Sequence, residues 1–137
     1  MPAVHRHLLV VTEYEIDPQG HANNIRYFDW LQAAAIAHSS LQGWPPSSYR
    51  ERGWAWVVRS HYIEYRRPAF AGDELTVKTW VADMARFTSR RRFEISRDSK
   101  LIARAETNWA FVETNAGKLM PIPEEVFSAF ELVPDEK

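Results

Sequence analysis

Asp17 and His21 flank the turn Asp17-Pro18-Gln19-Gly20-His21, directly ahead of a segment with helical periodicity. A carboxylate ionised at neutral pH can attack a carbonyl carbon, or take a proton from a water that does. A helix N-terminus presents unpaired N–H groups and a partial positive charge, so it can hold an oxygen on which negative charge develops. Acyl transfer requires both. The candidates are Asp17 for the carboxylate, the backbone N–H groups of Asn24 and Ile25 for the oxyanion, and His21 to orient Asp17 or the substrate carbonyl. Each residue also has a local alternative. Aspartate before proline commonly bonds the backbone two residues on and simply forms a turn. His21 either satisfies backbone groups or orients Asp17, and helix capping accounts for at least one of Asn23 and Asn24.

The elements that must hold this turn follow from periodicity. Tyr27, Phe28, Leu31, Ala34, Ala35, His38 and Leu41 recur at three- and four-residue spacings, which predicts a helix with a continuous apolar stripe and His38 packed on it. Trp30, Ala33, Ile36 and Ala37 make the remaining faces apolar too, so the helix is expected to be enclosed on most sides. Gly43, Pro45 and Pro46 end it. Residues 5–16 alternate as a first strand, with Leu9, Val11, Tyr14 and Ile16 as core candidates and a phase shift near Glu13. Further strands are expected over 54–67, from Leu75 to Val81, over 87–97 and over 101–114, with one helical turn at 48–52 and another within 121–130 that packs Val126, Phe127 and Phe130. A hairpin with its turn at Ala71-Gly72-Asp73 is expected to join the first two of these strands, and the four in a row to form a meander; their turns are too short for parallel crossovers, so the sheet is antiparallel and the class is α+β.

Composition narrows the partners. All 137 residues, 1–137, read as one domain, and 45% hydrophobic with 13% aromatic residues can bury a core. Absence of cysteine excludes disulfides, thiolate metal sites and a cysteine nucleophile. Seventeen basic against eighteen acidic side chains leave a net charge of −1, with no reason to propose nucleic acid as partner. The start lacks an apolar signal core and no apolar run reaches membrane-spanning length, so a cytoplasmic protein without a membrane partner is expected. The five histidines show no metal-ligand spacing beyond the weak His5-x-His7 pair, and neither metal nor cofactor is expected.

The pattern Asp17-x-x-Gly20-His21-x-Asn23-Asn24-x-x-Tyr27, entering an alanine-rich helix, resembles the hotdog-fold acyl-CoA thioesterases of the 4-hydroxybenzoyl-CoA thioesterase type. The similarity continues through Ile63 to Ala69, Gly72 to Val77, a late strand ending near Val112, and Pro121-Ile122-Pro123. It implies a five-stranded antiparallel sheet wrapped around one long central helix, assembled as a homodimer or homotetramer with sites at the subunit interface. It also implies that Asp17 is the catalytic carboxylate. The Gly-His-x-Asn-Asn form is similar to plant acyl-carrier-protein thioesterases as well, which supports His21 and Asn24 as site residues and leaves acyl carrier protein open as an alternative carrier. Segments after the central helix flank the acyl pocket in this family, so the resemblance makes Trp44, Trp54 and Trp56 candidates for its wall, against an ordinary core role.

Arg86, Arg90, Arg91, Arg92 and Arg97 cluster near one hairpin. Alternation sends Arg90 and Arg92 to one face and Arg91 to the other, with Glu94 and Glu106 as cross-strand partners. Guanidinium groups also suit the phosphates of coenzyme A, and relatives carry its nucleotide on the surface near this hairpin, so Arg86, Arg90 and Arg91 are the candidate coenzyme A contacts. The expected reaction is hydrolysis of an acyl-CoA thioester to a carboxylic acid and coenzyme A, with Asp17 as nucleophile or general base. The alternatives are a hotdog-fold hydratase or dehydratase acting on enoyl or 3-hydroxyacyl thioesters, and a non-catalytic acyl-CoA binding module.

Overall fold

Leu75, Val77 and Val81 alternate along their strand, and all three are buried, because that strand lies inside the sheet and presents one face to the helix. The computed structural model describes residues 3–135. In chain order its elements are β1 (Val4–Val10), a 3₁₀ turn (Glu13–Glu15), α1 (Arg26–Leu41), α2 (Pro46–Arg52), β2 (Trp54–Tyr65), β3 (Glu74–Met84), β4 (Thr88–Arg97), β5 (Lys100–Glu113), β6 (Lys118–Leu119) and α3 (Glu124–Phe127). The five long strands run in the order β1-β3-β4-β5-β2, every pair antiparallel, and the two-residue β6 pairs with β5 past the start of β4. This is the α+β class that the short turns imply and the hotdog arrangement that the resemblance implies.

The inner face of α1 closes the core. Tyr27, Trp30, Leu31, Ala34 and Ala35 pack against Leu75, Val77, Phe93, Ile95, Ile102, Ala103 and Ala105. Removing that apolar surface from water is the main stabilising contribution, at about 25 cal/mol per Å². Gly43, with φ +94, ends the helical segment. Asp98 and Ser99 both adopt positive φ, the two-residue turn whose twist suits the hairpin between β4 and β5.

Five expectations are corrected. The strand over 54–67 makes no hairpin with its successor through 71–73: β1 and β4 take both edges of β3, and β2 pairs with β5 at the far end of the sheet. The first strand stops at Val10, because Thr12 and Glu15 form a capping box that winds residues 13–15 into a 3₁₀ turn. That turn is the source of the phase shift, and it leaves Tyr14 exposed while Ile16 still packs on the core. Helix α1 is not enclosed on most sides: the sheet covers one face, and Ala33, Ile36 and Leu41 are exposed. Finally, α3 is one turn long, so Val126 and Phe130 face inward and Phe127 does not.

Candidate active site

The Asp17 turn is a small closed loop. A bridge between Ile16 and Ala22 pinches its base. Within it the Asp17 N–H donates to the His21 carbonyl at 2.9 Å, and the Gly20 N–H donates to the Asp17 carbonyl at 3.0 Å. Gly20 sits at φ +89, a left-handed backbone that glycine adopts without strain. The Asp17 side chain accepts the Gln19 N–H at its Oδ1 (2.8 Å), while its Oδ2 lies 3.7 Å from His21 Nδ1. One carboxylate oxygen is therefore held by the turn, and the other faces the imidazole just beyond hydrogen-bond distance. The Asp17 side chain is 18% exposed and that of His21 33%, so the pair is neither sealed nor fully solvated.

Glu15 ties this loop to the helix. Its carbonyl accepts the Asn23 N–H at 2.8 Å, and its side chain accepts the Trp30 indole N–H at 2.7 Å and the Thr12 N–H at 2.9 Å. Burial acts to raise the Glu15 pKa, but these donors outweigh it and hold the carboxyl below its usual range. The sequence reading missed Glu15, although the Thr12-x-x-Glu15 spacing is a capping-box signature that could have found it.

At the entry to α1 the N-cap position, Ile25, has no side-chain cap, against the expectation that Asn23 or Asn24 supplies one; Asn23 closes a turn just ahead of the helix, its Oδ1 accepting the Ile25 N–H at 3.0 Å. Of the two N–H groups expected to face an oxyanion, that of Ile25 is thus engaged. The Asn24 N–H has no acceptor among the described residues. The Asn24 N–H shares its peptide with the Asn23 carbonyl, which accepts the Arg26 N–H at 2.9 Å and so fixes the direction of that peptide; the next carbonyl, that of Asn24, accepts from Tyr27 N–H at 3.2 Å and Tyr65 hydroxyl at 3.3 Å. His21 and Asn24 line a cleft of about 230 Å³ with Ala22, Tyr27 and the 65–68 segment.

A second and larger cavity, about 490 Å³, lies between α1, α2 and the sheet. Trp44, Trp54 and Trp56 all line it, with Ala35, Ile36 and Val57 among the other apolar walls. Asp17 itself lines neither cavity, and the two share no lining residue, so a single chain does not bring Asp17 to the tryptophan wall.

The three arginines expected on coenzyme A have separate fates. Arg86 is exposed beside the Phe87 ring, 5.1 Å from its centroid. Arg90 forms ion pairs with Asp83, Glu106 and Asp135, and Arg92 shares Glu106 and Asp135, as expected for side chains on one face. The hydrogen bond that Arg90 donates to Asp83, with further help from Asp135 and Glu106, outweighs burial and raises the Arg90 pKa. Arg91 corrects the expectation of a surface contact. It is 6% exposed and lines the larger cavity, because alternation turns it toward the core. Its Nη1 donates to His38 Nδ1 at 2.9 Å and to Thr79 Oγ1 at 3.1 Å. Accepting at Nδ1 makes His38 the neutral tautomer with hydrogen on Nε2, buried as expected. Burial pushes the Arg91 pKa down to about 10, so the guanidinium stays charged at neutral pH. Among the described residues, no group of three or more His, Asp or Glu side chains could hold a metal ion, and no helix is long and apolar enough to cross a membrane.

Known proteins share this architecture. Residues 11–130 match the family model of the thioesterase-like superfamily. An Aquifex aeolicus relative bearing an esterase name is 29% identical over 131 residues, spanning 96% of this chain and 99% of its own. The chloroplastic palmitoyl-acyl carrier protein thioesterase of Cuphea hookeriana is 28% identical over 137 residues; 93% of this chain is covered, but only 33% of the plant protein. The crystal structure of a 1,4-dihydroxy-2-naphthoyl-CoA thioesterase from Synechocystis has the same fold, with a TM-score of 0.85 at 20% identity over 92% of this chain and 94% of that one. A match over most of its length to that family model, on a sheet curled around one helix, means that the chain belongs to the thioesterase-like superfamily and is a thioester hydrolase.

Proposed function

We propose that the chain hydrolyses acyl-CoA thioesters in the manner of the 4-hydroxybenzoyl-CoA thioesterase type, with Asp17 as nucleophile or general base. The observation that carries this reading is the Asp17–His21 pair, 3.7 Å apart, beside an Asn24 N–H that no described residue accepts. Asp17 Oδ2 attacks the thioester carbonyl carbon or deprotonates the water that does. The Asn24 N–H, at the electropositive entry to α1, receives the oxyanion. His21 orients the carboxylate or the water. Collapse of the tetrahedral intermediate expels the coenzyme A thiolate, which takes up a proton; with Asp17 as general base this leaves the free carboxylic acid, whereas with Asp17 as nucleophile it leaves an acyl anhydride on Asp17 that a water then hydrolyses to the acid and the Asp17 carboxylate. These groups suffice for the reaction without metal or cofactor.

A homodimer supports the site geometry. Strand β2 ends the sheet with an unpaired edge, and its Val57, Val58 and Tyr62 are exposed near the open flank of α1. Pairing β2 with its copy covers that edge and lets the carboxylate of one subunit serve the tryptophan-walled cavity of the other. This removes the separation of the two cavities within one chain. For the phosphates of coenzyme A we propose Arg86, which joins no ion pair among the described residues, because the guanidinium of Arg90 already carries three carboxylates.

Release of free thiol from a panel of acyl-CoA and acyl-carrier-protein thioesters tests the proposal and identifies the carrier. Turnover by wild type with loss in Asp17→Asn supports it. Equal turnover by the two proteins removes Asp17 from the mechanism.

A further inference from the structure

Arg91 has more hydrogen-bonding capacity than the fold uses. A guanidinium carries five N–H groups. The two on Nη1 reach His38 and Thr79, both neutral acceptors, and no carboxylate pairs with the charge among the described residues. Its Nε and Nη2 have no acceptor. They are not sealed either, because the one fully buried side-chain nitrogen without a partner is His5 Nε2 among the described residues. Those N–H groups open onto the 490 Å³ cavity that Arg91 lines. Arg90 and Arg92, its neighbours on β4, have their charges balanced by acidic side chains. Burying an unbalanced guanidinium is costly, and fold stability alone does not favour one here. The cavity has the volume of a small-molecule site and is walled mainly by tryptophan and aliphatic groups; two cations line it, Arg50, which is exposed, and Arg91, which is buried. A ligand that matches it is apolar along its length and anionic at one end.

We infer that the cavity selects acyl groups whose far end carries a carboxylate, which the Nε and Nη2 N–H groups of Arg91 receive as a fork. This names a substrate class for the proposed thioesterase site and rests on that reading. Arg91 is then a specificity residue, set apart from the bond that breaks.

The test compares octanoyl-CoA with octanedioyl-CoA, which differ by a terminal carboxylate. Wild type is expected to favour octanedioyl-CoA in kcat/KM by about tenfold or more, the worth of one hydrogen bond to a charged group. Arg91→Met is expected to lower that ratio by a similar factor. Calorimetric titration with octanoate and octanamide reads the same contact without hydrolysis: wild type is expected to bind the acid at least about tenfold more tightly, and Arg91→Met to lose the difference. Should the variant not fold, the wild-type ratios decide. Equal kcat/KM for the two thioesters together with equal affinity for acid and amide overturns the inference. Acid binding that depends on Arg91, with no thioester hydrolysed, overturns the thioesterase reading and leaves the anion site standing. Hydrolysis that depends on Asp17 without discrimination by charge overturns only the anion site.

Discussion

The chain holds two charged groups that are built on opposite principles. Asp17 sits on a loop, half-open to water, with one oxygen held by the Gln19 N–H and the other left toward His21. Arg91 sits on an interior strand, nine-tenths buried, with neutral partners and part of its donor set unused. A group that must meet water and a carbonyl gains from exposure and from a backbone that aims it. A group that only discriminates among ligands gains from burial, where a charge interacts most strongly. The pair teaches that reactivity and selectivity can be divided between a loop and a strand of the same small fold.

The contrast can be broken or sharpened in four ways. Asp17→Asn should lower kcat by about 10² to 10⁴, the usual worth of a catalytic acid or base. The fold should survive, since the amide oxygen still accepts the Gln19 N–H; thiol release and a melting curve check both. A melting midpoint far below wild type would mean that Asp17 serves the turn and not the reaction. Glu15→Ala should destabilise the protein by about 1–3 kcal/mol, because it leaves the Trp30 indole N–H without its 2.7 Å partner. It should also lower turnover by loosening the Asp17 loop, and chemical denaturation alongside kinetics separates the two effects. Arg91→Met should cost no more than about 1–3 kcal/mol, since it leaves buried His38 Nδ1 without its 2.9 Å donor but also removes the penalty of burying an unbalanced charge. A large loss of stability would make Arg91 a structural residue.

The smallest effect concerns pH. Burial, then the neighbouring His7 and Arg91, lowers the pKa of His5, and burial lowers that of His61. In the unfolded chain both take up protons as pH falls through about 6.5, before the folded protein does. The unfolded state then binds more protons, so this contribution is fully present above about pH 6.5 and is lost progressively below it. Melting midpoints between pH 5 and 7.5 should show the decline, and a double replacement of His5 and His61 by glutamine should flatten it.

Much of the fold was legible along the chain. The helix and its Gly43 stop, the antiparallel hairpins, and the opposite faces of Arg90 and Arg91 all depend on backbone preference and period, which neighbouring residues carry. The turn around Asp17 was legible for the same reason. Errors fell where a local pattern had two outcomes. Tyr14 fits strand alternation, yet the Thr12–Glu15 box winds the chain there instead. Ile36 lies on an apolar helix face that the chain's own sheet does not reach.

What the sequence by itself determined, then, is the succession of strands along the chain, the punctuation of α1 and the loop that carries Asp17, because each is encoded within a few residues; the pairing of β2 with β5 was decided by the tertiary structure. Only the tertiary structure decided that Arg91 reaches a cavity with no acidic partner, and that Trp44, Trp54 and Trp56 stand apart from Asp17. Those outcomes depend on which distant residues meet. His38 lies 53 positions from Arg91 and Thr79 lies 12 away, and no local pattern specifies that both should take its hydrogen bonds while every carboxylate stays on the other face.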